Sequence, residues 1–201
     1  MDMQKNYMVS IGASAGGLQS FLEFFKSLPD ETGIIFTVIS HLYRDYKSQL
    51  TSILEKHSRL PVLWMENNQV LKPDHIYVLP ENKVAMINER TINLYSRKED
   101  EKLNKSIDTF FSSMSVSYGD KAIGIILSGT GSDGLQGAKE IERRGGVVIV
   151  QDPLTAQFNG MPLTAISLDS PDYILKPKDM PRTILNIVAS REDNYQESAG
   201  N

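Results

Sequence analysis

The 201-residue sequence predicts an α/β fold, doubly wound, with a mostly parallel sheet, helices on both faces and an antiparallel hairpin appendage. Three observations predict it. Runs such as "GIIFTVIS" (33–40), "AIGIILS" (122–128) and "GVVIVQD" (146–152) have the length and β-branched content of strands buried on both faces. Amphipathic stretches alternate with these runs, as parallel crossovers require. A group of three short runs in the middle of the chain breaks the alternation.

In order, "YMVSI" reads as the first strand. "LQSFLEFFKSLP" follows with apolar residues at Leu18, Phe21, Leu22, Phe25 and Leu28, the spacing of an amphipathic helix, and Pro29 stops it. "GIIFTVIS" is the second strand, "KSQLTSILEKHS" a helix and "LPVLWM" a strand. "HIYVLP", "KVAMI" and "TINLYS" are separated only by "EN" and "NER", which predicts hairpins from about Ile76 to Ser96. "RKEDEKLNKS" reads as an exposed loop, its charges solvated. From "SIDTFFSSMSVSYG" the alternation returns: helix, "AIGIILS" strand, "LQGAKEIERRG" helix, "GVVIVQD" strand. "LTAISLDS" predicts a short helix, "YILK" an edge strand and "MPRTILNIVAS" a closing helix. Residues 1–190 are therefore expected to form one domain, and "REDNYQESAGN" (191–201), with little to bury, a mobile polar tail or the start of a linker.

Composition excludes several classes of function. A net charge of −4 gives no general attraction to nucleic acid or anionic lipid. The absence of cysteine removes disulfides, thiolate metal sites and a thiol nucleophile, and three histidines alone do not support a zinc site. No apolar run approaches the roughly 20 residues that span a bilayer, and the first residues lack a secretory pattern, so a soluble cytoplasmic protein without membrane insertion is expected.

In an open parallel sheet, ligands bind beyond the carboxyl ends of the strands. Three reactive side chains fall there: Ser14 in "GASAGG" after the first strand, His41 after the second, and Asp133 in "GTGSDG" before a helix. A serine, a histidine and an aspartate at one edge are the ingredients of nucleophile, general base and orienting carboxylate. "GASAG" also fits G-x-S-x-G, the strained elbow that lifts a serine oxygen clear of a sheet. Backbone N–H groups at the start of the following helix can serve a developing oxyanion. Each residue also has a structural reading: Ser14 as an N-cap, His41 as a satisfied half-buried histidine, Asp133 as a helix cap. His57 falls near a helix C-terminus and His75 at a strand start, so neither belongs to the group. The rival for the same loop is a dinucleotide site, because Gly129–Gly134 is a literal G-x-G-x-x-G with Asp152 following the next strand. Against it, Asp133 would set a carboxylate where a pyrophosphate must sit.

Several segments in one order, "IGASAGG", "SHL", "SIDTFFSSM", "IGIILSGTGSDGLQGAKEI", "GGVVIVQDPLTAQFNGMPLTAI" and the weaker "VLKPDHIYVLP", resemble the catalytic domain of CheB, the protein-glutamate methylesterase of bacterial chemotaxis. The resemblance runs from about Tyr7 to Lys176. It implies a cytoplasmic serine hydrolase that cleaves glutamyl methyl esters on the cytoplasmic domains of methylated chemoreceptors and can deamidate receptor glutamines. By motif it implies Ser14 as nucleophile, His41 as general base and Asp133 as the triad carboxylate, with no metal or organic cofactor. Ala15 and Thr130 replace the threonine and methionine often found at those places, the usual proline shortly after the histidine is missing, and a receiver domain is not expected from the few residues ahead of the motifs. The wording of "VQDPLTAQFNGMP" is closer to esterase portions fused to a receptor methyltransferase, so a methyltransferase domain, fused or in trans, is a second implied partner. A free-standing esterase fits the same residues, and a binding module on the same fold is the non-catalytic alternative.

Overall fold

Strands form where the chain offers short apolar runs, and the pairing between them sets where side chains can meet. The computed structural model describes residues 6–41, 49–97, 103–168 and 171–199. Its strands are β1 (Met8–Ala13), β2 (Ile35–Ser40), β3 (Val62–Trp64), β4 (His75–Val78), β5 (Lys83–Asn88), β6 (Thr91–Ser96), β7 (Ala122–Ile126), β8 (Val147–Gln151) and β9 (Tyr173–Leu175). The helices are α1 (Gly17–Lys26), α2 (Leu50–Glu55), α3 (Ser106–Tyr118), α4 (Leu135–Arg143), α5 (Gly160–Leu168) and α6 (Met180–Ala199).

Seven strands make one parallel sheet in the order β3-β4-β2-β1-β7-β8-β9, and β5 and β6 form a separate antiparallel pair. The sheet grows outward from β1 in one direction through β2 and in the other through β7. That reversal opens a crevice beyond the carboxyl ends of β1 and β7.

Side chains alternate across each strand, so the two faces collect different cores. Val9, Ile11 and Ala13 of β1 join Phe21, Phe24 and Phe25 of α1, Leu50 and Leu54 of α2, and Met180 and Ile184 of α6. Met8 joins Phe110, Phe111 and Met114 of α3, Ile141 of α4 and Met161 and Ala165 of α5. Each fully buried aromatic or aliphatic side chain contributes roughly 1.5–3 kcal/mol. On α1 the buried stripe is Gly17, Ser20, Phe21, Phe24 and Phe25, whereas Leu18 is 43% exposed. The apolar face is therefore rotated from the one that began at Leu18.

The second face carries small residues where α3 crosses it. A Cβ on Gly12 would lie 2.5 Å from Ile107 Cγ2, and one on Gly137 would lie 2.4 Å from Phe111 Cβ. These contacts bring α3 hard against both β1 and α4.

The appendage is smaller than expected. "HIYV" is not part of a hairpin: β4 lies between β2 and β3, parallel to both. Ile76, Tyr77 and Val78 are all buried, the signature of an interior strand, while β5 alternates buried Ala85 and Ile87 with exposed Met86 and Asn88. The β5–β6 pair covers α3, where the Ile87 N–H donates to Ser113 Oγ at 3.0 Å. β9 lies at the sheet edge. α6 runs beyond Ser190 to Ala199, so the residues read as a polar tail carry helical backbone to that point. Part of the expected helix and loop, residues 42–48 and 98–102, lies outside the described residues. Among those described, no helix is long and apolar enough to cross a membrane.

Candidate active site

Ser14 follows β1 in a tight turn. Its N–H donates to Ser128 O at 3.0 Å, tying the turn to the end of β7, and its carbonyl accepts from Gly17 N at 3.1 Å. The N-cap of α1 is Gly16, in the left-handed region at φ 72°, with no side-chain hydrogen bond. Ser14 is therefore not the cap of α1. The elbow also lacks the anticipated strain at the serine: among the described non-glycine residues, positive φ occurs at Asn68, Asp74, Asn82 and Glu89 and not at Ser14. Gly129 makes room for the serine, since a Cβ there would sit 3.0 Å from Ser14 Cβ and 2.1 Å from Met161 Sδ.

His41 extends β2, its N–H donating to Ala13 O at 3.2 Å. Its Nε2 lies 2.6 Å from Asp133 Oδ2, and the two side chains are 17% and 5% exposed. An ionised carboxylate only accepts, so the proton of this bond belongs to Nε2 and Nδ1 is left as the acceptor nitrogen of the neutral ring. Ser14 and His41 line one cleft of about 800 Å3 with Leu18, Leu22, Arg97 and Thr130. Among the described residues, no hydrogen bond joins the Ser14 hydroxyl to the His41 ring. Such bonds often close only around a substrate.

Asp133 is held from four directions. Oδ2 accepts from His41 Nε2 and from Ile107 N at 3.0 Å, and Oδ1 accepts from Asp108 N at 2.9 Å and Gly134 N at 3.0 Å. The carboxylate's lone pairs are thus fully used. It caps a helix, as its structural reading anticipated, but the helix is α3 and not the one that follows it. The cap of α4 comes from Asp108, whose Oδ1 accepts from Gly134 N at 2.9 Å and Gly137 N at 3.0 Å. Burial is the largest influence on Asp108 and raises its carboxyl above the ordinary carboxylate range; the Gly137 bond opposes this and the Asp133 charge adds to it.

The amides that a pyrophosphate would need at the start of α4 are already bonded to these two carboxylates. Asp152 accepts from Leu154 N at 3.0 Å, capping a short 3-10 turn at Pro153–Thr155. The dinucleotide reading of Gly129–Gly134 therefore meets two carboxylates on the Gly134 and Gly137 amides, and its acidic residue serves as a turn cap. The other histidines are occupied elsewhere: His57 Nδ1–H donates to Ile53 O at 2.9 Å, and His75 Nδ1–H donates to Pro73 O at 2.8 Å.

Two supporting residues were not singled out from the sequence. Gln151, fully buried at the end of β8, accepts on Oε1 from Ser128 N at 2.8 Å and Ser20 Oγ at 3.0 Å. Ser128 Oγ donates to Ala15 O at 2.9 Å, so Gln151 and Ser128 brace the Ser14 turn from behind. The available signal was a lone amide ending an otherwise apolar strand, "VVIVQ". Asp108 was signalled by an acidic residue in the first turn of "SIDTFF". Of the amides near the serine, those of Ser14 and Gly17 are used internally, whereas Ala15 and Gly16 donate to no described residue.

A doubly wound parallel sheet with its cleft at the point where the strand order reverses defines the class, an α/β protein whose site lies beyond the carboxyl ends of its central strands. A CheB methylesterase profile matches residues 9–184, and the chain belongs to that family of hydrolases. A Leptospira interrogans protein, provisionally named a protein-glutamate methylesterase/protein-glutamine glutaminase, is 36% identical over 168 residues, 83% of this chain and 87% of that one. A Hydrogenovibrio crunogenus protein-glutamate methylesterase/protein-glutamine glutaminase is 29% identical across 90% of this chain, which spans 49% of its length. The crystal structure of the Thermotoga maritima CheB methylesterase catalytic domain is similar, with a TM-score of 0.82, 26% identity, and coverage of 92% of this chain and all of that one.

Proposed function

We propose that the chain hydrolyses glutamyl methyl esters on the cytoplasmic domains of methylated chemoreceptors, with Ser14, His41 and Asp133 as its triad. The observation that carries this reading is the 2.6 Å His41–Asp133 bond beside Ser14 in one open cleft. His41 Nδ1 takes the Ser14 hydroxyl proton as Oγ adds to the γ-carbonyl carbon. Asp133 fixes the tautomer and stabilises the imidazolium. The Ala15 and Gly16 amides are the donors available to the tetrahedral oxyanion. Collapse breaks the bond to methoxide, which leaves as methanol with the proton from His41. A water, deprotonated by His41, then attacks the acyl-serine and releases the glutamate carboxylate. A glutamine amide would follow the same course with ammonia leaving, in keeping with the second half of the relatives' names.

The test is methanol release from methylated receptor membranes. Ser14→Ala should lower turnover by about 10³-fold or more, while a folded variant with full activity would sink the triad, and an inactive parent protein that still binds receptor would point to a binding module.

A further inference from the structure

Asn104 Oδ1 accepts from Ser106 N at 3.1 Å, but the next amides of α3, and the Gly137 amide of α4, find no side-chain acceptor in their own helix's approach. Their N-cap residues, Lys105 and Gly134, make no side-chain capping bond. Each helix borrows a carboxylate from the other: Ile107 N and Asp108 N donate to Asp133, while Gly134 N and Gly137 N donate to Asp108. The result is a closed ring of bonds. Two of its members fix the Asp133 carboxylate directly, and the other two fix the backbone on which Asp133 is carried.

Resting on the triad reading above, we infer that Asp108 is a positioning residue for the esterase: by anchoring Gly134 and Gly137 it keeps Asp133 Oδ2 aimed at His41 Nε2. The chemistry makes this demand, because an imidazole that accepts a proton from serine must not swing out of line during the step. The ring also costs stability, since two carboxylates facing one amide repel and Asp108 is partly removed from water. A cap without a second negative charge would hold α4 as well. What the arrangement adds is a rigid link from α4, through the loop, to the imidazole.

The experiment compares kcat and KM for methanol release from methylated receptor membranes among the parent, Asp108→Ala, Asp108→Asn and Ser14→Ala. Asp108→Ala should lower kcat about 10- to 100-fold, with KM changed less than about twofold because Asp108 is absent from the cleft lining. Asp108→Asn, which keeps one carbonyl oxygen for both amides, should recover most of the loss. A folded Asp108→Ala protein with the parent's kcat overturns the inference, as do equal losses in the Ala and Asn variants. Should Asp108→Ala fail to fold, Asp108→Glu, which displaces the carboxylate by one methylene, carries the same expectation, and an unchanged kcat there overturns it. Activity surviving in Ser14→Ala would instead sink the triad, whereas its loss there beside a full kcat in Asp108→Ala removes only the role of Asp108.

Discussion

The carboxylates of Asp108 and Asp133 accept from the same backbone N–H, that of Gly134, at 2.9 and 3.0 Å. Sharing one donor places two like charges at the junction of α3 and α4, and the titration of Asp108 should report it.

Burial, followed by the Asp133 charge, raises the Asp108 carboxyl against the pull of its backbone bonds. The folded protein therefore holds this proton more tightly than the unfolded chain. The associated stability is present in full below the ordinary carboxylate range and is lost as pH rises through the raised value. Asp108→Asn cannot titrate, so the Tm of the parent relative to this variant should improve as pH falls from 7 to 4. A constant difference over that range would show that Asp108 is not shifted.

His41→Ala and Asp133→Asn should each reduce turnover, and the double variant should lose little more than the worse single one, because residues acting as one unit are not lost twice. Multiplying losses would separate the pair. Asp133→Asn should also destabilise the fold by about 1–3 kcal/mol, the cost of a buried donor left unpaired, since Ile107 N and Asp108 N donate to different oxygens of Asp133 and an amide keeps only one acceptor. Denaturant unfolding measures that cost independently of activity.

Gly12→Ala should be harmful although the position is extended strand. Its Cβ would meet Ile107 Cγ2 at 2.5 Å, and the Ile107 N–H is one of the donors to Asp133. Overpacking of this kind costs about 1–3 kcal/mol, and displacing α3 should lower kcat as well. A variant with parental Tm and kcat would show that α3 yields without disturbing the site.

Gln151→Leu should be costlier than its distance from the chemistry implies. It would leave Ser128 N and Ser20 Oγ without their buried acceptor. Unsatisfied buried donors cost about 1–3 kcal/mol each, so the chemical denaturation midpoint should fall well below that of the parent.

The sheet and its residues at the carboxyl ends were legible because buried parallel strands are nearly pure apolar runs and because β1, β2 and β7 run out into the polar residues Ser14, His41 and Ser128. β4 was misplaced because a spacer as short as "EN" looks like a hairpin turn, whereas the decisive feature, burial on both faces at Ile76, Tyr77 and Val78, depends on which strands flank it. The α1 stripe was rotated because Leu18, apolar by type, faces the cleft. Asp108 and Gln151 escaped notice for a related reason. Their partners lie 26 and 23 residues away at Gly134 and Ser128, and no local spacing announces a bond of that span.

Ser14 and His41 stand on the half of the sheet built first along the chain, and Asp133 stands on the half built later, 92 residues beyond His41. On the proposed triad, neither half carries a complete set. A chain regaining structure from denaturant can recover its helices and the pairing of β1 with β2 through connections of modest length, yet the imidazole finds its carboxylate only when β7 docks beside β1. Closing that long loop is the slower event. Ester turnover should therefore lag the far-ultraviolet dichroism signal during refolding, which makes the enzyme its own clock for the joining of its two halves.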